Sequence, residues 1–222
     1  VQTIQENIDA IKNQLKVDTI LVAVTKHRSL PEIQAVYDAG IRDMGENRVQ
    51  EFRDKAALLP ADIRWHLIGR LQKNKVKYVV GQVHLIHSVD SLSLAKAIDD
   101  QSKKLGVSTH ILLQINVSGE DTKQGMPVNE LEDTLDAIAQ LPNVVVKGLM
   151  TMAPDTKNIK VLQDIFTQTK TLYDRIKDSE YKYPNVTMEV LSMGMTNDYS
   201  IAVSCGANMV RIGSGIFKKE EA

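Results

Sequence analysis

The chain has 222 residues, 43% of them hydrophobic and 25% charged, with 27 basic against 28 acidic side chains. That is the balance of an ordinary soluble globular protein, without a whole-chain electrostatic footprint for nucleic acid or membrane. Its single cysteine, Cys205, excludes an internal disulfide, and no apolar run approaches the roughly 18–20 residues of a membrane span. The polar start Val1-Gln2-Thr3-Ile4-Gln5-Glu6 lacks a basic-then-apolar signal pattern, so a cytoplasmic location is expected. On that expectation the sequons at Asn116 and Asn185 read as chance.

Along the chain, Ile4, Ile8, Ile11 and Leu15 are spaced as one helical face, predicting an amphipathic helix over 1–16. The run Thr19-Ile20-Leu21-Val22-Ala23-Val24 then has the length and continuity of a strand buried on both faces. This alternation recurs. Strands are predicted near 20–25, 42–45, 64–68, 83–88, 110–117, 144–149, 187–192 and 208–212. Helices are predicted near 31–39, 47–58, 71–79, 91–105, 129–140, 158–178 and 197–205. Ser29-Leu30-Pro31-Glu32 has the form of a capping box, and Ser91 and Asn129 are plausible caps. Eight strands and seven helices, with the first helix as an eighth, point to one (β/α)8 barrel over residues 1–222. An open doubly wound sheet is the structural alternative.

In such a barrel the site lies at the C-terminal ends of the strands. There the first strand gives Thr25-Lys26-His27-Arg28 and the second Gly45-Glu46-Asn47-Arg48. Ser192-Met193-Gly194 and Gly213-Ser214-Gly215 follow the seventh and eighth strands and read as a phosphate cradle, or otherwise as tight turns. Lys26 alone reads as the solvent boundary of its strand. Opposite a phosphate cradle it reads as a nucleophilic amine, its pKa lowered by burial and by the neighbouring His27 or Arg28, suited to trapping a phosphorylated aldehyde. His66, His84, His87 and His110 read as hydrogen-bonded core or rim residues. Arg70, Lys73, Lys75 and Lys77 read as a solvated face, with a polyanion contact as the minor alternative. Met150, Met152, Met193 and Met195 read as core filler or as packing around a flat ring. The sequence contains no metal-site, Walker, GxGxxG or GxSxG pattern.

Taken in order, several motifs resemble the pyridoxal phosphate homeostasis proteins (the YggS/PROSC type), whose barrel is of the alanine racemase N-terminal type. They are Val24-Thr25-Lys26, the segment from Gly45 to Glu51, the segment from Trp65 to Lys75, His87-Ser88-Val89-Asp90-Ser91, Asn116-Val117-Ser118, Lys123-Gln124-Gly125, the segment from Gly148 to Met152, the segment from Ser192 to Tyr199, and Val210-Arg211-Ile212-Gly213. The resemblance implies that Lys26 holds pyridoxal 5′-phosphate (PLP) as a Schiff base and that Asn47 contacts it near its ring. It assigns the phosphate to Ser192, the Met193–Gly194 backbone, Gly213 and Ser214. It sets Arg211 beside the pyridine nitrogen, with a phosphate role left open. A guanidinium there can only donate a hydrogen bond, which weakens the cofactor as an electron sink.

Alanine racemases add a C-terminal β domain that supplies a catalytic tyrosine and completes the site in a dimer. The resemblance implies its absence here, hence an open pocket, a monomer, and a protein that holds PLP for vitamin B6 homeostasis and for recipient apoenzymes without established catalysis. A weak single-domain racemase is the alternative, and a cofactor-free Schiff-base lyase acting on a sugar phosphate is a more distant one. Lys218-Lys219 departs from the family, where a glycine commonly follows Ile-Phe.

Overall fold

The computed structural model describes residues 3–119, 124–179 and 183–218. Lys123 and Lys219, singled out above, lie outside them, as do Val1 and Gln2. The chain opens with α1 (Ile4–Lys12), started by a reciprocal cap: the Glu6 amide donates to Thr3 Oγ1 at 3.2 Å and the Thr3 amide to Glu6 Oε2 at 2.6 Å. It ends at Lys12, short of the predicted 16.

Then follow β1 (Ile20–Val24), α2 (Leu30–Asp38), β2 (Asp43–Glu46), α3 (Val49–Ala56) and β3 (Arg64–Leu67). A 3₁₀ turn (Lys73–Tyr78) replaces the helix predicted at 71–79. Lys73, Lys75 and Lys77 crowd this stretch without acidic partners one turn away, so it lacks the ion pairs that would support an α-helix. The middle of the chain gives β4 (Leu85–Val89), α4 (Leu92–Leu105), β5 (Thr109–Asn116), a two-residue β6 (Met126–Pro127), α5 (Leu131–Ile138) and β7 (Val144–Met150). It ends with α6 (Ile159–Lys177), β8 (Val186–Ser192), α7 (Tyr199–Ser204), β9 (Met209–Ile212) and a one-turn α8 (Ser214–Phe217).

All strand pairings are parallel, and the order β1-β2-β3-β4-β5-β7-β8-β9 returns to β1, closing an eight-stranded barrel with β6 an edge addition on β5. The open sheet is thereby excluded. The first helix takes the eighth outer position: α1 packs on α2 and α8, and Asn7 Nδ2 donates to the Ile216 carbonyl at 2.9 Å.

Alternation along the strands divides the core in two. Residues such as Leu21, Ala23, Met44, Leu67, Ile86 and Met193 pack outward against the helices. Val22, Leu85, Leu112, Met150 and Met209, from five different strands, form a small apolar plug in the barrel interior. Gly148, at φ +150°, sits where β7 and β8 approach so closely that a Cβ would lie 1.7 Å from the Val190 carbonyl oxygen.

Candidate functional site

Val22, Val24 and Lys26 share one parity, so the alternation that points the valines inward carries Lys26 to the mouth. Val24 and Lys26 both line a cavity of about 570 Å³ there. The Lys26 side chain is exposed, where sequence reasoning expected burial, because β1 ends at Val24 and the turn lifts Lys26 clear of the last rung. His27 does not flank the amine: at φ 58° it turns aside, its amide donating to Glu51 Oε2 at 2.9 Å. Arg28, stacked 4.6 Å from the Phe217 ring centroid, is the neighbouring cation that lines the cavity.

The turn is clamped from below. Lys55 Nζ donates to the Thr25 carbonyl at 2.8 Å, to Glu46 Oε1 at 2.7 Å and to Glu51 Oε2 at 3.3 Å, using all three of its donors. Thr25 Oγ1 donates to the same Glu46 oxygen at 2.5 Å. Burial raises the Glu46 carboxyl pKa despite these bonds. Lys26 itself makes no hydrogen bond or ion pair among the described residues.

The same cavity has a polar rim after the last two strands. Ser214 Oγ is 3.1 Å from Thr196 Oγ1, and the Gly215 amide donates to the same Thr196 oxygen at 3.3 Å. At Gly213 an added Cβ would come within 3.3 Å of Val24 Cβ, so glycine keeps the floor between the rim and β1 open. Hydroxyls and amides at the start of a one-turn helix, after the last two strands, form the kind of anion cradle barrels build at this position.

Arg211 also lines the cavity, yet is 3% exposed. Its Nη1 donates to Ser192 Oγ at 2.6 Å and its Nη2 to the Thr151 carbonyl at 3.0 Å. Burial lowers its pKa to about 10, partly opposed by Asp198, so it stays charged at neutral pH. Behind Ser192, buried side chains continue through His87 and His66 to Asp43.

The profile of the alanine racemase N-terminal domain matches residues 1–221. The pyridoxal phosphate homeostasis protein of Aquifex aeolicus is 42% identical over 186 residues, 83% of this chain and 80% of that one. The chain belongs to this family. The Escherichia coli K12 homeostasis protein is 35% identical over 202 residues, 89% of this chain and 84% of its own length. Among solved structures, the PipY protein of Synechococcus elongatus PCC7942 with PLP bound superposes with a TM-score of 0.89 at 35% identity, covering 97% of this chain and 100% of that one. A Clostridium difficile alanine racemase, at 16% identity and a TM-score of 0.82, shares the fold.

Of the residues that sequence reasoning assigned to this family's site, Lys26, Arg211, Gly213 and Ser214 meet around one cavity. Asn47 lines an adjoining cavity of about 590 Å³ that shares the Met152–Ala153 wall with the first. Ser192 and Met193 are fully buried and line neither, the serine holding Arg211 and the methionine packed in the outer core. Gly194, at φ 97°, admits α7, since its Cβ would lie 2.7 Å from Ala202 Cβ, and its carbonyl accepts the Arg211 amide at 3.0 Å. Thr196 was missed. Its signal was the Met-Gly-Met-Thr turn, whose hydroxyl returns toward Ser214. Met152 and Met195 line the cavity, whereas Met150 belongs to the interior plug. No three His, Cys, Asp or Glu side chains among the described residues are grouped to hold a metal, and no helix there is long and apolar enough to cross a membrane.

Proposed function

We propose that this protein binds PLP, anchors it as a Schiff base on Lys26 and serves intracellular PLP homeostasis as a single-domain, monomeric holder. The observation that carries the reading is an exposed lysine amine, unpaired among the described residues, that shares one cavity with a hydroxyl-and-amide rim and a buried arginine. Relatives named for PLP homeostasis, and a solved relative with PLP bound, support it. Thr196, Ser214 and the Gly213–Gly215 backbone would hold the phosphate, Arg211 would meet the ring, and Asn47 would approach from the adjoining cavity. Met152 and Met195 supply apolar walls for a flat ring. When bound, the cofactor supplies a reactive aldehyde for amines; the protein's residues anchor and orient it.

Holding, not turnover, fits the cavity: no tyrosine lines it among the described residues, so the racemase tyrosine has no counterpart there, and of the two carboxylates that do line it, Asp155 and Asp198, the latter is engaged by the Met195 amide at 2.6 Å. Recipient apoenzymes and a cytoplasmic setting belong to the same reading.

The test is reconstitution with PLP, borohydride reduction and peptide mass spectrometry. The pyridoxyl adduct is expected on Lys26, with visible absorbance lost in Lys26→Ala; an adduct elsewhere rejects the assignment. Exchange of an amino acid's α-proton in heavy water above the rate of free PLP would favour the racemase instead.

A further inference from the structure

The barrel interior holds a polar column where close-packed branched apolar side chains are the usual filling. Asp43 Oδ1 lies 2.9 Å from His66 Nε2, His66 Nδ1 lies 2.8 Å from His87 Nε2, and His87 Nδ1 lies 3.0 Å from Ser192 Oγ, which accepts from Arg211 Nη1 at 2.6 Å. His66, His87 and Ser192 are at most 1% exposed. The column runs from the Arg64–Asp43 ion pair through β3, β4 and β8 to the arginine of the proposed cofactor site.

Proton counting fixes its direction. Asp43 takes both oxygens into bonds from Arg64 and is ionised, so it can only accept, and His66 Nε2 must carry a proton. His87, wholly buried between His66 and the Arg211 charge, is driven towards its neutral form. With both rings neutral, His66 Nδ1 accepts from His87 Nε2–H, and His87 Nδ1 accepts from the Ser192 hydroxyl. Every donor then has an acceptor. If His66 were doubly protonated, His87 would have to donate to Ser192, whose own buried O–H would then have no acceptor among the described residues.

We infer that Ser192, His87, His66 and Asp43 form a one-way donor chain that orients Arg211, the serine spending its hydroxyl inward and not on a ligand. Ser192, His87 and His66 are thus positioning residues. Arg211 is tied by Nη1 to the chain and by Nη2 to Thr151, and its remaining N–H groups are left for a ligand in the cavity. The effect of the chain on PLP rests on the proposed function; the donor pattern does not.

Long-range ¹H–¹⁵N spectra of the histidine rings in the full chain without cofactor, assigned with His66→Gln and His87→Gln, test the pattern. Both His66 and His87 are expected as neutral Nε2–H tautomers at pH 7.5. An Nδ1–H tautomer at His87, or a doubly protonated His66, overturns the chain. Titration with PLP tests the positioning. His87→Phe breaks both links and should weaken binding about tenfold to a hundredfold, with a shifted visible band, as loss of a supporting shell does. His87→Gln, whose amide can donate towards His66 and accept from Ser192, should restore most of it. A folded His87→Phe that binds PLP like the wild type overturns the positioning role, and the His87→Gln and tautomer measurements do not depend on the phenylalanine being tolerated. If the wild type takes up no PLP, the proposed function fails, and the tautomers alone decide the chain.

Discussion

His87 Nδ1 meets Ser192 Oγ at 3.0 Å although β4 and β8 are not neighbours in the sheet, so this bond crosses the barrel interior. It places an imidazole where water cannot reach it. Burial, then the neighbouring His66 ring and the Arg211 charge, hold its pKa well below the usual histidine value. Burial likewise lowers His84 and His110.

These histidines set an acid limit on stability. A base whose folded pKa is depressed below its unfolded value contributes full stability above the unfolded pKa, and loses it as pH falls, because the unfolded state takes the proton first. Glu46 and Asp198, raised by burial, act with the opposite sign, and Asp43, held below the usual carboxylate range because the His66 and Arg64 bonds outweigh burial, acts only below about pH 4. Urea denaturation should therefore give stability that is flat from pH 8 to 7 and falls from about pH 6.5 to 5. His87→Gln should lessen that slope by up to about 1.4 kcal/mol per pH unit, one proton's worth. An unchanged slope in the variant would show that His87 is not the titrating group.

Among the described residues Lys55 is the sole cation bonded to Glu46, whose buried Oε2 has no partner there. Lys55→Met should leave an uncompensated buried carboxylate and cost about 3–5 kcal/mol. Adding Glu46→Gln removes that charge and should recover at least half of the loss. Chemical denaturation of the two variants checks this, and equal stabilities would mean that Glu46 is already protonated in the fold.

Much of this architecture is written in the sequence. The strands are continuous apolar runs, and parity alone puts Val24 with Lys26, and Met209 with Arg211 and Gly213, on the inward face. Parity also sends Ser192 inward below the rim. Its Ser-x-Gly spacing suggests a phosphate ligand only if the chain is taken to turn at Ser192, whereas β8 continues through it and the turn comes at Gly194. The contact between His66 and His87 joins residues 21 apart on adjacent strands. Alternation shows that both point inward, but their bond depends on strand stagger, which no local pattern encodes. The one-turn α8 was equally hidden, since Gly-Ser-Gly has low helix propensity and the Asn7 bond to Ile216 ties it down from the far end of the chain.

Gly148 tests a tight backbone approach between β7 and β8. In Gly148→Ala the new Cβ would fall 1.7 Å from the Val190 carbonyl oxygen, a fixed backbone atom, so β7 and β8 must separate. The loss should be about 3 kcal/mol, a fall of roughly 6–12 °C in Tm for a chain of this size. Thermal unfolding followed by circular dichroism measures it. A fall under 2 °C would mean that the strands part freely there, contrary to the close approach.

The Thr196–Ser214 rim makes a prediction that separates phosphate recognition from ring recognition. Thr196 Oγ1 receives the Gly215 amide and lies within reach of Ser214 Oγ, so the two hydroxyls and that amide form one cradle. Thr196→Val keeps the shape and removes the acceptor that orders it; Ser214→Ala removes the second hydroxyl. Each change should weaken PLP binding about tenfold to a hundredfold, the value of a hydrogen bond to a charged group. Binding of pyridoxal, which carries the same aldehyde and ring without the phosphate, should stay within twofold. Equal losses for both ligands in a folded variant would move the phosphate away from this rim and return the assignment to the β8 turn at Gly194.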